Sequence, residues 1–228
     1  MPSAKPTRWT ASISSKSDAR LILSIDTTSE FGSIALTEAN VVIEEIALHA
    51  PEGFGHVLFG HIEHLLEKNG TTVHQMECFA AASGPGSFTG VRVGLASAKG
   101  LAEATGKRVV AVSNLRALAF FGSAPLRATV IDARRGEVYA AVYNSRLELV
   151  MPEVVIKLDD WLPSLPKHNC ELISSVSSPR VLAAAIGHIA WDEFTLGRSS
   201  DPAEIDANYV RRSDAELFWK DSTADRPA

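Results

Sequence analysis

Three short stretches of this chain carry residue types that can hold phosphate and magnesium. Asp26 follows the apolar run Leu21–Ile25 and precedes three hydroxyls, Thr27, Thr28 and Ser29. A carboxylate in such a place can hold magnesium through water while the hydroxyls face phosphate oxygens. The second stretch, Ser83-Gly84-Pro85-Gly86-Ser87-Phe88-Thr89-Gly90, joins the strand-like run Cys78–Ala82 to a helix-like segment reaching Thr105. A glycine-rich turn at a helix N-terminus presents free backbone N–H groups to an anion. Gly84 and Gly86 permit positive φ or close approach, Pro85 stiffens the turn, and Ser87 or Thr89 can cap the helix. The third, Asp132-Ala133-Arg134-Arg135-Gly136, again sets an aspartate after an apolar run.

The same residues have a structural use. Asp26 and Thr28 can close a hairpin turn through side-chain-to-backbone hydrogen bonds, and the glycine stretch can be a capped turn without a ligand. No lysine completes a P-loop, and the glycine before Ser87 is one residue too close for a Gly-x-Ser-x-Gly nucleophile elbow.

The elements that must position these residues follow from periodicity. Residues 21–26, 33–37 and 41–48 read as an antiparallel meander, and 56–69 as a helix with Val57, Leu58, Ile62, Leu65 and Leu66 on one face. A strand at 78–82, a helix at 90–105, a strand at 108–112 and a helix from Ser113 to about Phe121 complete the first half. Strands at 127–133 and 137–143 then restart the pattern, with Asp132 where Asp26 stood, which implies two related lobes. The expected division is a disordered tail at 1–20, a first lobe at 21–123, a second, smaller lobe at 124–216 and a frayed end at 217–228. In the weakly patterned stretch 146–206, a short helix at 158–162, a strand at 171–174 and a helix at 179–191 are expected.

Composition narrows the functional classes. A chain of 228 residues with 46% hydrophobic and 21% charged residues can bury a substantial core. A net charge of −5 disfavours a broad nucleic-acid-binding surface, so any RNA contact is expected to be local or made by a partner. Two cysteines, Cys78 and Cys170, give neither a disulfide framework nor a four-cysteine zinc site, and suit a reducing cytoplasm. No membrane-spanning run or secretory core is evident, so a cytoplasmic chain without membrane association is expected. His61 and His64 have helical metal-ligand spacing but no third ligand, and no metal site is expected.

The second helix carries two small-residue rows: Gly90, Gly94, Ala98 and Ala102, and Ala96, Gly100 and Ala104. Helix glycine costs about 0.5–1 kcal/mol relative to alanine, so such rows imply close approach by other elements. One row is expected to serve the core and the other a partner.

Together, Ile25–Ser29 with Gly32–Leu36, the loop Ser83–Gly90 continuing to Gly94, and Asp132–Tyr139 resemble the TsaB family. The resemblance covers residues 20–145, and Tyr209-Val210-Arg211 also fits. It implies an α/β, actin-like ATPase (ribonuclease H-like) fold with two lobes of mixed sheet and flanking helices. TsaB is the non-catalytic dimerisation subunit of the bacterial tRNA threonylcarbamoyladenosine machinery, of glycoprotease-like ancestry. The implied partners are a TsaD-type catalytic subunit and, through the complex, a TsaE-type ATPase, with a homodimer as the state without partner. The complex transfers threonylcarbamoyl to the anticodon-adjacent adenosine of tRNA. The metal motif of TsaD, His-x-Glu-Gly-His, has no match in His56-Val57-Leu58-Phe59-Gly60-His61.

The resemblance therefore implies no catalytic residues here and no required cofactor, ATP or ADP with magnesium being compatible with the complex. The phosphate-loop candidates are Asp26, Thr27, Thr28, Gly84, Gly86, Ser87, Thr89, Gly90 and Asp132. The family's partner interface uses the two first-lobe helices, which points to His61, Leu65, Gly94, Leu95, Ala98, Leu101 and Ala102. On this expectation Ala98→Glu abolishes pairing in a folded monomer. The alternatives are a stand-alone sugar-kinase-like enzyme using Asp26, magnesium and ATP, or a peptidase.

Overall fold

The computed structural model describes residues 20–175 and 181–210. Residues 1–19 of the tail expected at 1–20, the frayed end at 217–228, and Arg211 lie outside the described residues. The first sheet is built by β1 (Leu21–Asp26), β2 (Phe31–Glu38), β3 (Val41–His49), β4 (Met76–Gly84) and β5 (Arg108–Ser113). Its spatial order is β3-β2-β1-β4-β5, with the meander antiparallel and β4 and β5 parallel to β1. α1 (Leu58–Lys68) and α2 (Phe88–Thr105) connect these strands.

Every residue of β1 is buried because both faces of the strand are covered. Leu21, Leu23 and Ile25 point into the core shared with Leu58, Leu65, Leu95 and Ala98 of α1 and α2. Ile22 points the other way, with Cys78 and Ala80, onto Ile186, Ile189 and Trp191. Those last residues belong to α5 (Ala183–Thr195), which comes from the far half of the chain.

The second sheet repeats the first with one strand fewer. β6 (Leu126–Arg134), β7 (Glu137–Asn144), β8 (Leu149–Ile156) and β9 (Cys170–Ser174) lie in the order β8-β7-β6-β9. β7 is antiparallel to β6 and β9 parallel to it, so β6 to β9 reproduce the arrangement of β1 to β4. α3 (Asn114–Ala119) sits between the sheets, with Leu115 and Ala119 against Ala141 and Tyr143. α4 (Leu158–Trp161) closes the opposite face with Trp161. This is the two-lobed, actin-like α/β fold.

Two expectations change. The strand β8 was not legible, because Pro152 and Glu153 interrupt its apolar pattern. The described part of the stretch 124–216 is also not confined to the second sheet. α5 and the segment around Ile205 return to the first sheet, where the Ala183 and Ala184 N–H groups are capped by Ser33 Oγ at 3.0 Å and Glu45 Oε1 at 2.9 Å. Burial raises the pKa of the Glu45 carboxyl, against the hydrogen bonds from Ala184, Ser33 and Ala183.

Candidate interlobe site

Asp26 ends β1 and is 2% exposed. Its Oδ1 accepts from the Thr28 N–H at 3.0 Å and the Thr28 hydroxyl at 2.6 Å. Asn114, at the start of α3, donates from Nδ2 to Thr28 Oγ1 at 2.5 Å and accepts from the Gly84 N–H at 2.9 Å. It thus ties the aspartate loop to the glycine turn. The Ser87 N–H donates to the Thr28 carbonyl at 2.7 Å, and the Thr27 hydroxyl to the Gly90 carbonyl at 2.7 Å. Ser87 caps α2 through its Oγ, which accepts from the Gly90 N–H at 3.3 Å.

The two loops are in direct contact. A Cβ on Gly90 would lie 2.0 Å from the Thr27 carbonyl oxygen, so only glycine allows α2 to start this close to β1. Burial pushes the pKa of Asp26 from 3.8 to about 6, opposed by its bonds from Thr28 and assisted by the charge of Glu45.

Asp132 occupies the mirrored place on β6, as the repeat predicts, but in a different environment. It is exposed, accepts the Arg134 N–H at 2.8 Å and stands 3.8 Å from the Arg134 guanidinium. Asp26 and Asp132 line one cleft of about 1070 Å³ with Thr27, Thr28, Gly86, Ser87, Thr89 and Gly90. Its rim adds Glu30, Glu52, His56 and Tyr139, and Arg134 is the one arginine or lysine among its lining residues. Among the described residues its lining is therefore acidic. Among the described residues no group of three or more His, Cys, Asp and Glu could hold a metal ion.

The expected partner row is overturned. Gly94, Leu95, Ala98 and Ala102 are buried against the sheet, as is Leu65 of α1, while His61 and Leu101 are half-buried. A Cβ on Gly94 would stand 2.6 Å from Thr27 Oγ1, so this row serves the approach of α2 to the aspartate loop. The exposed face of α2 carries Arg92, Ala96, Gly100, Glu103 and Ala104, and that of α1 carries Phe59, Gly60, Glu63 and His64.

Sequence reasoning missed Asn114 and Glu45. The Glu44-Glu45 pair inside the apolar run Val41–Leu48 was the available signal for a buried acceptor. Asn114, one residue after the expected cap Ser113, gave none.

The fold is shared with a Pseudomonas aeruginosa protein described as similar to the peptidase YeaZ. That chain is 24% identical, with a TM-score of 0.71 over 84% of this chain and 100% of its own. A structure titled YeaZ from the same organism superposes with a TM-score of 0.69. The family model of TsaD, tRNA N6-adenosine threonylcarbamoyltransferase, matches residues 39–185. The tRNA threonylcarbamoyladenosine biosynthesis protein TsaB of Bacillus subtilis is 36% identical over 229 aligned residues, 88% of this chain and 98% of its own. The chain belongs to the TsaB family. The Escherichia coli TsaB is also 36% identical, over 54% of each chain. No helix among the described residues is long and apolar enough to cross a membrane.

Proposed function

We propose that this TsaB-family chain is a non-catalytic scaffold in tRNA threonylcarbamoyladenosine biosynthesis, pairing with a TsaD-type catalytic subunit in the cytoplasm. The observation that carries the reading is the self-satisfied cleft floor. The Thr27 and Thr28 hydroxyls and the Ser87 N–H bond to loop atoms within the chain. Asp26 is buried, and its Oδ1 is already taken by the Thr28 N–H and hydroxyl. Among the described lining residues, the four carboxylates of Asp26, Glu30, Glu52 and Asp132 outnumber the one guanidinium, which adds repulsion toward a polyphosphate. The phosphate-type loops act here as struts.

The docking face is the outer side of α1 and α2, which replaces the buried row. Gly60 and Gly100 sit inside helices with no described atom within 4 Å of a Cβ position, so no contact among the described residues explains them. Phe59 beside them is 55% exposed. A helix from another subunit can approach closely at such points. A TsaE-type ATPase joins through the complex, any ADP or ATP with magnesium belongs to that assembly, and tRNA is reached through the partner. Without partner, the same face supports a homodimer.

The test is light scattering with size-exclusion chromatography of this chain alone and mixed with the TsaD-type protein of the same genome. A stoichiometric heterodimer that Phe59→Asp and Ala96→Arg both disrupt is the expected result. Failure of the wild type to pair, or normal pairing by both variants, would overturn the reading. The sugar-kinase alternative rests on Asp26 and Asp132 sharing one cleft. ATP turnover by this chain alone, lost in Asp26→Ala, would support it instead.

A further inference from the structure

Three segments distant in sequence meet on one carboxylate outside the cleft. Glu153, half-buried on β8, accepts at Oε1 from the Ser113 hydroxyl and from the Tyr143 hydroxyl at 2.5 Å. Its Oε2 accepts from Asn208 Nδ2 at 2.6 Å. Each donor is anchored elsewhere. Ser113 directly precedes Asn114, which holds the Gly84 N–H at 2.9 Å. The Asn208 N–H donates to the Ser83 carbonyl at 2.7 Å. The links close a circuit that runs from Gly84 through Asn114, Ser113, Glu153 and Asn208 to Ser83. It joins the glycine turn, the start of α3, the edge of the second sheet and the segment approaching residue 210.

We propose that Glu153 is a clasp through which the second lobe fixes both the glycine turn and the seat of Asn208, so that the two loosen together. A carboxylate suits this place because donors reach both oxygens, and a charged acceptor strengthens each bond. Glutamine offers one oxygen and turns an NH2 toward Asn208 or Ser113. The segment has independent attachments upstream, where Ser200 pairs with Val109 on the edge of β5 and Ile205 is buried. Release of the clasp therefore frees residues 206–209 without detaching the whole segment. Tyr209 contacts Arg92 at 3.1 Å near the start of α2, so a partner touching that corner reaches the glycine turn through the same circuit. This coupling is independent of which partner the chain takes.

The experiment is residue-resolved amide hydrogen exchange by NMR on the full chain, comparing wild type with Glu153→Gln, Asn208→Ala and Ser113→Ala. Faster exchange at both the Gly84 and Asn208 amides, with β1 and β3 unchanged, is the expected result. About tenfold is the size appropriate to losing one charge-assisted hydrogen bond. Asn208→Ala leaves its own backbone N–H and the Ser113 bond in place, so acceleration at Gly84 in that variant is the decisive sign of coupling. Should Glu153→Gln fail to fold, the other two variants give the same readout. Acceleration at Asn208 alone, at neither amide, or equally throughout β1 to β3 would overturn the clasp.

Discussion

The Thr27 hydroxyl donates to the Gly90 carbonyl at 2.7 Å, across 63 residues of sequence. This bond sets the first turn of α2 directly on the loop that follows β1. It leaves the two phosphate-type stretches holding one another.

Removing that fit has a steep cost. In Gly90→Ala a methyl group would meet the Thr27 carbonyl oxygen at 2.0 Å and its carbon at 3.0 Å, both backbone atoms that cannot swing aside. We expect a loss of roughly 3 kcal/mol or more, typical of overpacking with a forced backbone shift. Thr27→Val keeps the shape, loses the hydrogen bond and should cost about 1 kcal/mol. Urea denaturation of the two variants checks the order, and equal costs would refute it.

Asp26 predicts a pH dependence with a definite sign. Its pKa is raised from 3.8 to about 6, with burial the largest cause. The folded chain therefore binds this proton more tightly than the unfolded chain does. The associated stability is fully present below the unfolded value and is lost as pH rises through about 6. Asp26→Asn keeps an acceptor for both Thr28 donors. It should stabilise the chain at neutral pH by on the order of 2–3 kcal/mol, and by much less near pH 4. Denaturant midpoints at the two pH values test this, and a pH-independent difference would rule out the charge as the cause.

The two rows of α2 should answer substitution in opposite ways. Ala98 is fully buried, so Ala98→Glu places an unpaired carboxylate in the core and should cost roughly 3 kcal/mol or more, through folding and not through pairing. Ala96 is exposed, and Ala96→Arg should change monomer stability by no more than about 0.5 kcal/mol while weakening association. Thermal unfolding alongside size-exclusion chromatography separates the two effects.

Gly100 gives a prediction in which stability and association diverge. Among the described residues no atom lies within 4 Å of its Cβ position, so Gly100→Ala should stabilise the isolated chain by about 0.5–1 kcal/mol. The added methyl group should weaken docking of a second helix. A variant that is both more stable and better at pairing would remove Gly100 from the interface.

Glu45 supplies a contrast between losing a charge and losing an acceptor. Glu45→Gln retains an oxygen for the Ala184 N–H and the Ser33 hydroxyl, whereas Glu45→Ala leaves both donors unpaired beneath α5. The alanine variant should cost roughly 1–3 kcal/mol and the glutamine variant clearly less, as read from unfolding midpoints.

Much of this molecule was written locally. The strands around Asp26 and Asp132, the Ser87 cap and the helices α1 and α2 follow from apolar periodicity and turn residues within a few positions of one another, and the repeated aspartate placed the hairpin of β6 and β7. The side to which α2 turns its small residues was not local information. Both rows have helical spacing, and what faces the sheet is decided by Thr27, which needs Gly90 and Gly94 at contact distance. Long-range partners settled the rest. Ser24, Ser33 and Glu45 read as polar interruptions in apolar strands until α5 arrives to use them, and Asn114 and Glu153 gain their meaning only from groups brought together by the two sheets. Periodicity and capping act over one or two turns of chain, so the sequence by itself determined the elements and their repeat. Pairing between buried polar groups depends on distances that exist only after the chain has closed on itself, so the tertiary structure decided which loops fill the cleft and which helix face remains free.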